Sequence, residues 1–284
     1  MKVSIVIPTL NEEKYIGKTL QCLGDQTFKD FEVIISDGRS KDKTREKALE
    51  FKDKLDLTFL DSPRRGVSFQ RNYGAKRAEC SRLIFFDADI TIEPDFLQKI
   101  IASVEVNDPD VLTCCGKPNS KNLFDKIWAW VGFIMLFEGT KKLLPNVAGC
   151  FIFIKKSVFD SVGGFDERIN FGEDFDLSHR VFRSGYRKFS LLKEPNVKFS
   201  VRKMKAEGRV VYALKFLKNG FLWIFLGPLE SQGKVQDYWS AGEIDVMGKK
   251  IKVKGLRKKI QRNVKKGMKK RLTWVKSKTK EFVG

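Results

Sequence analysis

The first ninety residues alternate short apolar runs with stretches whose apolar positions recur every three or four residues. The apolar runs are rich in β-branched and aromatic residues, which is typical of buried parallel strands. They cover Val3–Ile7, Phe31–Ile35, Leu57–Leu60 and Leu83–Phe86. Helices are predicted between them, one opening at Asn11 and others over Thr44–Lys54 and Gln70–Ala78. Strands and helices in this rhythm predict an α/β fold with a parallel sheet.

Beyond residue 90 the pattern is less regular. Strands are predicted over Val111–Cys115 and Cys150–Ile154, and a helix over Phe175–Arg183. Two aromatic stretches, Leu123–Phe137 and Tyr212–Leu229, are apolar almost all round a helix, which indicates deep burial or contact with lipid. Neither reaches the roughly 20 apolar residues of a spanning helix. We therefore expect membrane association in the interface, with an oligomer interface as the alternative.

Polar residues follow three of the predicted strands, at the edge where open parallel sheets bind ligands. The first strand leads into residues 8–12, the second into Asp37, and the fourth into Asp87 and Asp89. Two carboxylates two residues apart can face one pocket, and Mg²⁺ and Mn²⁺ prefer such oxygen ligands. An Asp-x-Asp pair alone is often a solvated strand end, but Asp37 on the matching edge favours a site.

Five motifs occur in order between residues 1 and 203. They are Pro8-Thr9-Leu10-Asn11-Glu12, the run Ser36–Thr44, the run Arg65–Ala75 leading into Asp87-Ala88-Asp89, Val162–Glu167, and Gly172–Leu177. With these motifs the chain resembles the inverting glycosyltransferases of family 2, which have the GT-A fold: a Rossmann-like, mostly parallel sheet flanked by helices. Each motif alone is modest, but five in sequence are specific.

The resemblance implies a nucleotide-sugar donor, a divalent cation and an acceptor hydroxyl. Asp89 would be the main protein ligand of Mn²⁺ or Mg²⁺. Asp174 would be the general base that takes the proton of the acceptor hydroxyl in a single in-line displacement. Glu173 and Asp166 would lie on the acceptor side. The residues that would lie against the donor are Pro8, Thr9, Leu10, Glu12, Asp37, Arg71, Asn72, Asp87 and Ala88.

Two positions depart from the family pattern. Arg39 stands where the family usually has Gly or another small residue, so the nucleotide loop is expected to differ there. Ser200 stands where many relatives carry a His that assists the metal or the diphosphate. Arg202 or Lys203 would then neutralise the leaving group.

The composition shifts toward basic and aromatic residues beyond Ser200. We therefore predict a catalytic domain over residues 1–203, with a nucleotide-sugar half to about residue 90 and an acceptor half after it. Residues 204–284 would form a basic extension on the membrane. The net charge is +20, and Glu281 is the only acid from Gly248 onward. Apolar residues among the lysines of 249–280 predict a basic amphipathic helix that binds an anionic membrane surface, with a solvated tail as the alternative.

The cysteines, the N-terminal apolar run and the single histidine indicate where the protein acts and which kinds of metal site it lacks. The five cysteines are odd in number and lack metal-ligand spacing, and the N-terminal apolar run is too short for a signal peptide. We expect reduced thiols in a cytoplasmic protein, peripheral on the inner face of the cell membrane, with a lipid-linked or membrane-associated acceptor. His179 is the only histidine, which excludes multi-histidine zinc sites; it is expected to be structural.

Three alternatives stay open at this point. In a polyprenyl-phosphate glycosyltransferase the attacking oxygen is already ionised, and a base at Asp174 is dispensable. The net charge would also suit a nucleic-acid-binding protein. However, no nucleic acid is expected, because phosphates would be repelled, unless a metal intervened, by the carboxylates of Asp37, Asp87, Asp89, Glu173 and Asp174. A donor-binding pseudoenzyme is not favoured, because no carboxylate of the pattern is missing. The sugar, the nucleotide, the acceptor and the oligomeric state are not determined.

Overall fold

The computed structural model describes residues 2–138, 145–226, 229–230, 243–246 and 249–252. The strands are β1 Val3–Thr9, β2 Phe31–Asp37, β3 Leu57–Asp61, β4 Arg82–Phe86, β5 Ile90–Thr91, β6 Val111–Pro118, β7 Phe151–Lys155, β8 Ile169–Phe171, β9 Phe189–Phe199, β10 Leu229–Glu230, β11 Glu243–Val246 and β12 Lys249–Lys252. The helices are α1 Ile16–Gly24, α2 Thr44–Leu49, α3 Val67–Arg77, α4 Phe96–Asn107, α5 Leu123–Phe133, α6 Lys156–Ser161, α7 Glu173–Arg183, α8 Arg202–Glu207 and α9 Arg209–Leu226.

The central sheet has eight strands in the order β3-β2-β1-β4-β7-β6-β9-β5. The first four pair in parallel, as the sequence predicts. From β4 onward the sheet is mixed, because β7 is antiparallel to both β4 and β6, and β9 runs parallel to β6. The ends of β1 and β2 are in register, with Thr9 opposite Asp37. The carboxyl ends of the parallel strands therefore meet at one edge.

Helices cover both faces of the sheet, which is why its central strands are apolar without alternation. In β1, Ile5 and Ile7 point into the core under α1 and α4, and Val6 points into the core on the other face. The first core contains Leu20 and Phe96. The second core is built with α3, α6 and α7 and contains Phe85, Phe159, Phe165, Leu177 and Val181.

Several predicted elements differ from the observed ones. The helix predicted over Thr44–Lys54 ends at Leu49, because the amides of Phe51, Lys52 and Lys54 bond three residues back instead of four. These turns bring Leu55 into the core. The stretch 123–137 forms α5 followed by a π-helical turn, Ile134–Glu138. Helix α4 and the eleven-residue strand β9 were not predicted.

The chain beyond residue 203 begins with two helices that pack on the rest of the protein. The predicted boundary falls inside α8. On α9, Arg209 forms an ion pair with Asp125 of α5, and the ring of Phe216 packs edge-on against Trp128. None of the helices in the described part of the chain combines the length and apolarity that crossing a bilayer requires.

The amphipathic helix predicted over residues 249–280 begins differently in the structure. Lys249–Lys252 is strand β12, paired antiparallel with β11, so the helix prediction is wrong for these four residues. Alternation of Lys250, Ile251 and Lys252 has the period of two that suits a strand. Residues 253–284 lie outside the described part of the chain.

Helix α3 lies against β1 with no space for a side chain between them. A Cβ added to Gly74 would lie 2.5 Å from Val6 Cγ1. We expect Gly74→Ala to lower the free energy of unfolding by about 1–3 kcal/mol, because a packed sheet and helix must separate to admit the methyl group. Urea denaturation followed by circular dichroism measures this change.

The matched control is Gly24→Ala at the end of α1, where an added Cβ meets no atom within 4 Å. Its stability is expected to be unchanged or higher by up to about 1 kcal/mol. Equal stability of the Gly74 and Gly24 variants would contradict the close approach of α3 to β1.

Candidate active site

The ends of β1 and β2 are joined by the carboxylate of Asp37. This buried group accepts hydrogen bonds from Thr9 Oγ1 at 2.8 Å, from the Ser40 amide at 2.7 Å and from Ser40 Oγ at 2.6 Å. Because Thr9 and Ser40 both donate to it, Asp37 holds the end of β1 against the loop that follows β2. Pro8 lies within β1, paired with Ser36, and Leu10 follows the strand.

Gln70 of α3 also joins the ends of β1 and β2. Its Nε2 donates to the carbonyl oxygens of Thr9 at 2.7 Å and Ser36 at 2.8 Å. A Cβ on Gly38 would lie 2.9 Å from Gln70 Oε1, so the loop after β2 passes directly over this side chain. Gln70 was in a recognised motif but was not predicted as a site residue; its burial beneath two strand ends is a tertiary property.

The loops after β1 and β2 are also bound to each other through backbone and side chain. The Asn11 amide donates to Ser40 Oγ, and the Lys41 amide donates to Asn11 Oδ1, both at 2.8 Å. Asn11 and Arg39 both have a positive φ, 56° and 62°. A left-handed conformation at Arg39 explains why glycine suits that position in the family pattern.

Arg71 is the centre of the site. Its guanidinium is fully buried, with Nη1 donating to Glu173 Oε1 at 3.0 Å and Nη2 donating to Asp87 Oδ1 at 3.0 Å. Nη2 also donates to the Gly149 carbonyl at 2.9 Å. Burial acts to lower the pKa of Arg71, but the nearby carboxylates outweigh it and raise the pKa. One cation thus connects α3 with the ends of β4, β7 and α7.

Asp174 lies in the first turn of α7, which begins after Gly172 at a φ of 76°. Its Oδ2 accepts from the Gly149 amide at 2.9 Å and its Oδ1 from the Phe175 amide at 3.0 Å. Burial, and then the charge of Glu173, raise the pKa of Asp174 to about 7, although Arg71 opposes them. The side chain can therefore exchange a proton near neutral pH.

Gly149 was missed by sequence reasoning. It contacts both Asp174 and Arg71, and a Cβ there would lie 2.9 Å from Asp174 Oδ2. The available signal was a glycine directly before the predicted strand Cys150–Ile154.

Asp87, Ala88 and Asp89 form the connection from β4 to β5. Thr19 of α1 holds it, because its Oγ1 donates to the carbonyl oxygens of Ala88 at 2.8 Å and Ile90 at 3.0 Å. Burial, and then the charge of Asp87, raise the pKa of Asp89 to about 6, while Arg202 and Lys203 act to lower it. The Asp89 carboxyl is therefore poorly solvated and close to the negative charge of Asp87, whose side chain is 40% exposed.

Arg202, at the start of α8, joins two of the predicted site residues. Its Nε lies 3.0 Å from Asp89 Oδ2, and its two terminal nitrogens bind the two carboxylate oxygens of Glu12. The guanidinium also lies over the ring of Tyr15, 4.4 Å from its centre. Tyr212 of α9 lies near these carboxylates. Burial, and then the charges of Glu207, Asp89 and Asp87, raise the pKa of Tyr212 to about 12. No sequence pattern pointed to Tyr212.

Asn72 directs its side-chain amide to the loop that contains Phe165 and Glu167. Its Nδ2 donates to the Phe165 carbonyl at 2.8 Å and to Glu167 Oε1 at 3.0 Å, and its Oδ1 accepts from the Phe165 amide at 2.9 Å. Asn72 therefore holds the loop of the fourth motif. On that loop Asp166 binds Arg168, which lowers the pKa of Asp166.

The structure thus brings Glu12, Arg71, Asp87, Asp89, Glu173, Asp174 and Arg202 into one cluster. The thiol of Cys150 shows their closeness: burial raises its pKa, and the charges of Asp87, Asp174 and Asp89 add to the effect. His179 lies apart from this cluster, with Nε2 2.9 Å from Asn146 Oδ1, and burial lowers its pKa to about 4.

Comparison with known proteins gives this cluster a context. Residues 4–163, more than half of the chain, match the sequence profile of glycosyl transferase family 2. Validoxylamine A glucosyltransferase of Streptomyces hygroscopicus subsp. limoneus is 27% identical over 218 residues, a match covering 64% of this chain and 48% of that protein. Several curated relatives are longer than this chain, which spans about half of their length.

A Methanococcus voltae protein is similar over more of both chains. This dolichyl N-acetyl-alpha-D-glucosaminyl phosphate 3-beta-D-2,3-diacetamido-2,3-dideoxy-beta-D-glucuronosyltransferase is 27% identical over 250 residues, covering 78% of this chain and 77% of that one.

Two solved structures show the fold. Staphylococcus aureus TarS 1-349 in complex with UDP-GlcNAc has a TM-score of 0.56 at 22% identity, covering 78% of this chain and 67% of that one. Mannosyltransferase PcManGT from Pyrobaculum calidifontis, in complex with GDP-Man and Mn²⁺, has a TM-score of 0.60 at 18% identity, covering 76% and 64%. At these identities the likeness establishes the GT-A fold, and it confirms the predicted fold class.

Removal of the Arg71 cation would leave Asp87, Glu173 and the Gly149 carbonyl without their shared donor. We expect Arg71→Met to lower the free energy of unfolding by about 3 kcal/mol, because the largely buried Glu173 and the half-exposed Asp87 lose the cation that they share. Arg45→Met is the control, since Arg45 and its partner Asp61 are both exposed; its effect should stay within about 0.5 kcal/mol. Equal effects in urea denaturation would show that Arg71 does not hold these elements together.

Proposed function

The chain belongs to glycosyl transferase family 2 and is a glycosyltransferase, and we propose that it transfers a sugar from a nucleotide-diphosphate sugar to an acceptor hydroxyl with inversion. The observation that carries the proposal is the placement of Asp174. This carboxylate is tied through Gly149 and Arg71 to the turn that bears Asp87 and Asp89. One general base thus faces one donor site, which is the arrangement of a single displacement.

Asp174 is suited to the role of base by its environment. Its two backbone hydrogen bonds fix the orientation of the carboxylate, and each oxygen keeps a lone pair for the acceptor hydroxyl. Its pKa of about 7 makes it basic enough to accept a proton while it remains largely ionised above neutral pH. Glu173 contributes by raising that pKa and by holding Arg71.

The carboxylates of Asp87 and Asp89 fit a hard divalent cation. They offer only oxygen ligands. Burial, and then the charge of Asp87, raise the pKa of Asp89 to about 6, and a bound positive charge would relieve both effects. A bound Mn²⁺ or Mg²⁺ would supply charge stabilisation for the departing diphosphate. Among the described residues no group of three or more His, Cys, Asp or Glu side chains could hold a metal. Phosphate and water oxygens would have to complete the coordination.

Arg202 and Lys203 are proposed to face the diphosphate. Arg202 already binds Asp89 and Glu12, and the charge of Lys203 acts on Asp89. A guanidinium at this position can donate two hydrogen bonds to phosphate oxygens. In this chain the two cations would do what a histidine does in many relatives at the position of Ser200.

The donor would lie along the loops that Asp37 and Gln70 hold together, against Pro8, Thr9, Leu10 and Glu12. Arg71, Ala88 and the main chain around Asp87 would form the base of that groove. Asn72 would act indirectly by holding the loop of Asp166 on the acceptor side.

The acceptor is proposed to be lipid-linked, and the protein peripheral on the cytoplasmic face of the membrane. Two observations support this. The curated relative from Methanococcus voltae acts, by its name, on a dolichyl-linked sugar phosphate. The aromatic stretches of this chain also leave large apolar side chains exposed. Residues 1–203 would be the catalytic domain, and residues 204–284 the extension that contacts the membrane.

Asp174→Asn is expected to lower kcat by about 10²–10⁴-fold, because proton removal is lost. The amide group also loses one of the two backbone hydrogen bonds that the carboxylate accepts. The loops after β1 and β2 are unchanged, so the KM of the donor should stay close to the wild-type value. In the wild-type protein, kcat should rise about tenfold per pH unit below pH 7 and level off above it, since the base acts when ionised. Steady-state transfer at saturating donor and metal measures both. A flat profile with an active Asp174→Asn variant would instead identify an acceptor that is already ionised, such as a polyprenyl phosphate.

Sugar transfer from labelled nucleotide sugars into an organic-extractable fraction tests the donor class and the acceptor together. With membranes of the source and Mn²⁺, the wild-type protein should label the lipid fraction, and Asp89→Ala should lose at least about 10²-fold in rate. Asp61→Ala is the control, an exposed carboxylate next to the donor edge. Full activity in the presence of a chelator would contradict metal dependence, and label only in soluble glycan or protein would contradict a lipid acceptor.

A further inference from the structure

Helix α5 presents its apolar side to solvent. Leu123, Ile127, Trp130 and Ile134 follow at steps of four, three and four residues, so they lie on one face of the helix and its continuation. Their exposed fractions range from 39% to 69%. A helix on the surface of a soluble protein normally turns such a stripe toward the core.

The side of α5 that faces the protein carries a buried carboxylate, although such a side is usually apolar. Asp125 is buried there, accepting from Arg209 Nε at 2.6 Å, from Arg209 Nη2 at 3.0 Å and from Ser120 Oγ at 2.6 Å. Trp128 also faces inward and packs against Phe216. An ion pair and an aromatic contact therefore join α5 to α9 among the described residues, and the aliphatic stripe of α5 is left outside.

Helix α9 repeats this arrangement. Val210, Leu214 and Leu217 are separated by four and three residues, and between 53% and 63% of each is exposed. Two neighbouring helices, joined by the Asp125–Arg209 ion pair, thus both expose an apolar stripe. We call the two stripes together the docking face.

The exposed charges that helices α5, α8 and α9 contribute are positive, and the turn that continues α5 ends in Glu138, which is half-buried. Helices α5, α8 and α9 contain two acids, Asp125 and Glu207, and both are buried and ion-paired, Glu207 with Lys215 at 3.4 Å. Three lysines of these helices, Lys126, Lys205 and Lys218, are exposed, whereas Lys215 points inward to Glu207. The surface therefore combines exposed aliphatic and indole groups with positive charge and no exposed acid from these helices.

We propose that the docking face binds the surface of a bilayer that contains anionic phospholipid. Aliphatic side chains would enter the boundary between headgroups and acyl chains, Trp130 would lie at headgroup level, and the lysines would meet lipid phosphates. A protein partner would need an acidic apolar surface of the same shape, whereas an anionic bilayer supplies both properties without shape matching.

The docking face lies next to the catalytic cluster. Helix α8 begins with Arg202, which contacts Asp89, and α9 carries Tyr212, whose pKa responds to Asp87 and Asp89. A bilayer bound by α5 and α9 would hold the headgroup region beside the acceptor side. The proposal deepens the proposed lipid-linked acceptor, but membrane binding itself requires neither donor nor acceptor.

Sedimentation of the full chain with vesicles of phosphatidylcholine and phosphatidylglycerol tests the docking face. At about 1 M salt, where the Debye length is about 3 Å, attraction by exposed basic residues alone is suppressed, but insertion of apolar side chains persists. We expect the wild-type protein to remain bound. Ile127→Glu and Leu214→Glu should each weaken binding by at least about tenfold, because a charged group replaces an inserted aliphatic one.

Val106→Glu is the matched control. Val106 lies on α4, away from the docking face, and 83% of it is exposed, so this variant carries the same charge change. It should bind vesicles like the wild type, and all three variants should keep the wild-type melting temperature.

Three results would overturn the proposal: release of the wild-type protein by salt, undiminished binding of both docking-face variants, or a lipid-free dimer that Ile127→Glu converts to a monomer. The last would make the docking face an interface between copies of this chain. Because the vesicles contain no sugar donor or acceptor, a failure here is distinguishable from a failure of the transfer assay.

Discussion

The buried guanidinium of Arg71 is the interaction on which the geometry of the site depends. A cation in the interior must bind several acceptors, since its loss of hydration is otherwise uncompensated. Arg71 meets this requirement with Asp87 after β4, Glu173 at the start of α7 and the carbonyl of Gly149 before β7. These acceptors come from three parts of the chain. Their shared partner therefore fixes the distance between Asp87, at the end of β4, and the carboxylate of Asp174.

The same cluster concentrates negative charge where little water can reach it. Burial is the main cause of the raised pKa values of Asp174 and Asp89, and neighbouring carboxylates are the second. Cations limit this repulsion from two sides, Arg71 within the domain and Arg202 from α8. Arg202 is the first residue of α8, and this helix continues past the predicted boundary at residue 203 to Glu207. The helix that leads into the basic extension therefore contributes to the electrostatics of the site.

The aromatic stretches show how one composition can serve two environments. Trp128 and Trp130 are two residues apart, and the helix turns the first toward Phe216 and the second toward solvent. Asp125, on the inward side of α5, stabilises this orientation of the helix, because its ion pair with Arg209 offsets the loss of hydration on burial. The apolar stripe that remains outside requires another explanation than core packing.

The sequence by itself determined the parallel half of the sheet, the positions of Asp37, Asp87 and Asp89 at its edge, and Asp174 at the start of a helix. These features follow from local patterns: apolar runs, strand ends and motif spacing. Tertiary structure alone decided that Gly149 and Gln70 bind site residues, that Arg202 joins Glu12 to Asp89, that Asn72 binds the loop of Phe165 and Glu167, and that α5 turns its apolar side outward. The physical reason is that hydrogen bonds and ion pairs between groups 60 to 190 residues apart depend on how the helices and strands pack. Local sequence patterns do not predict that packing.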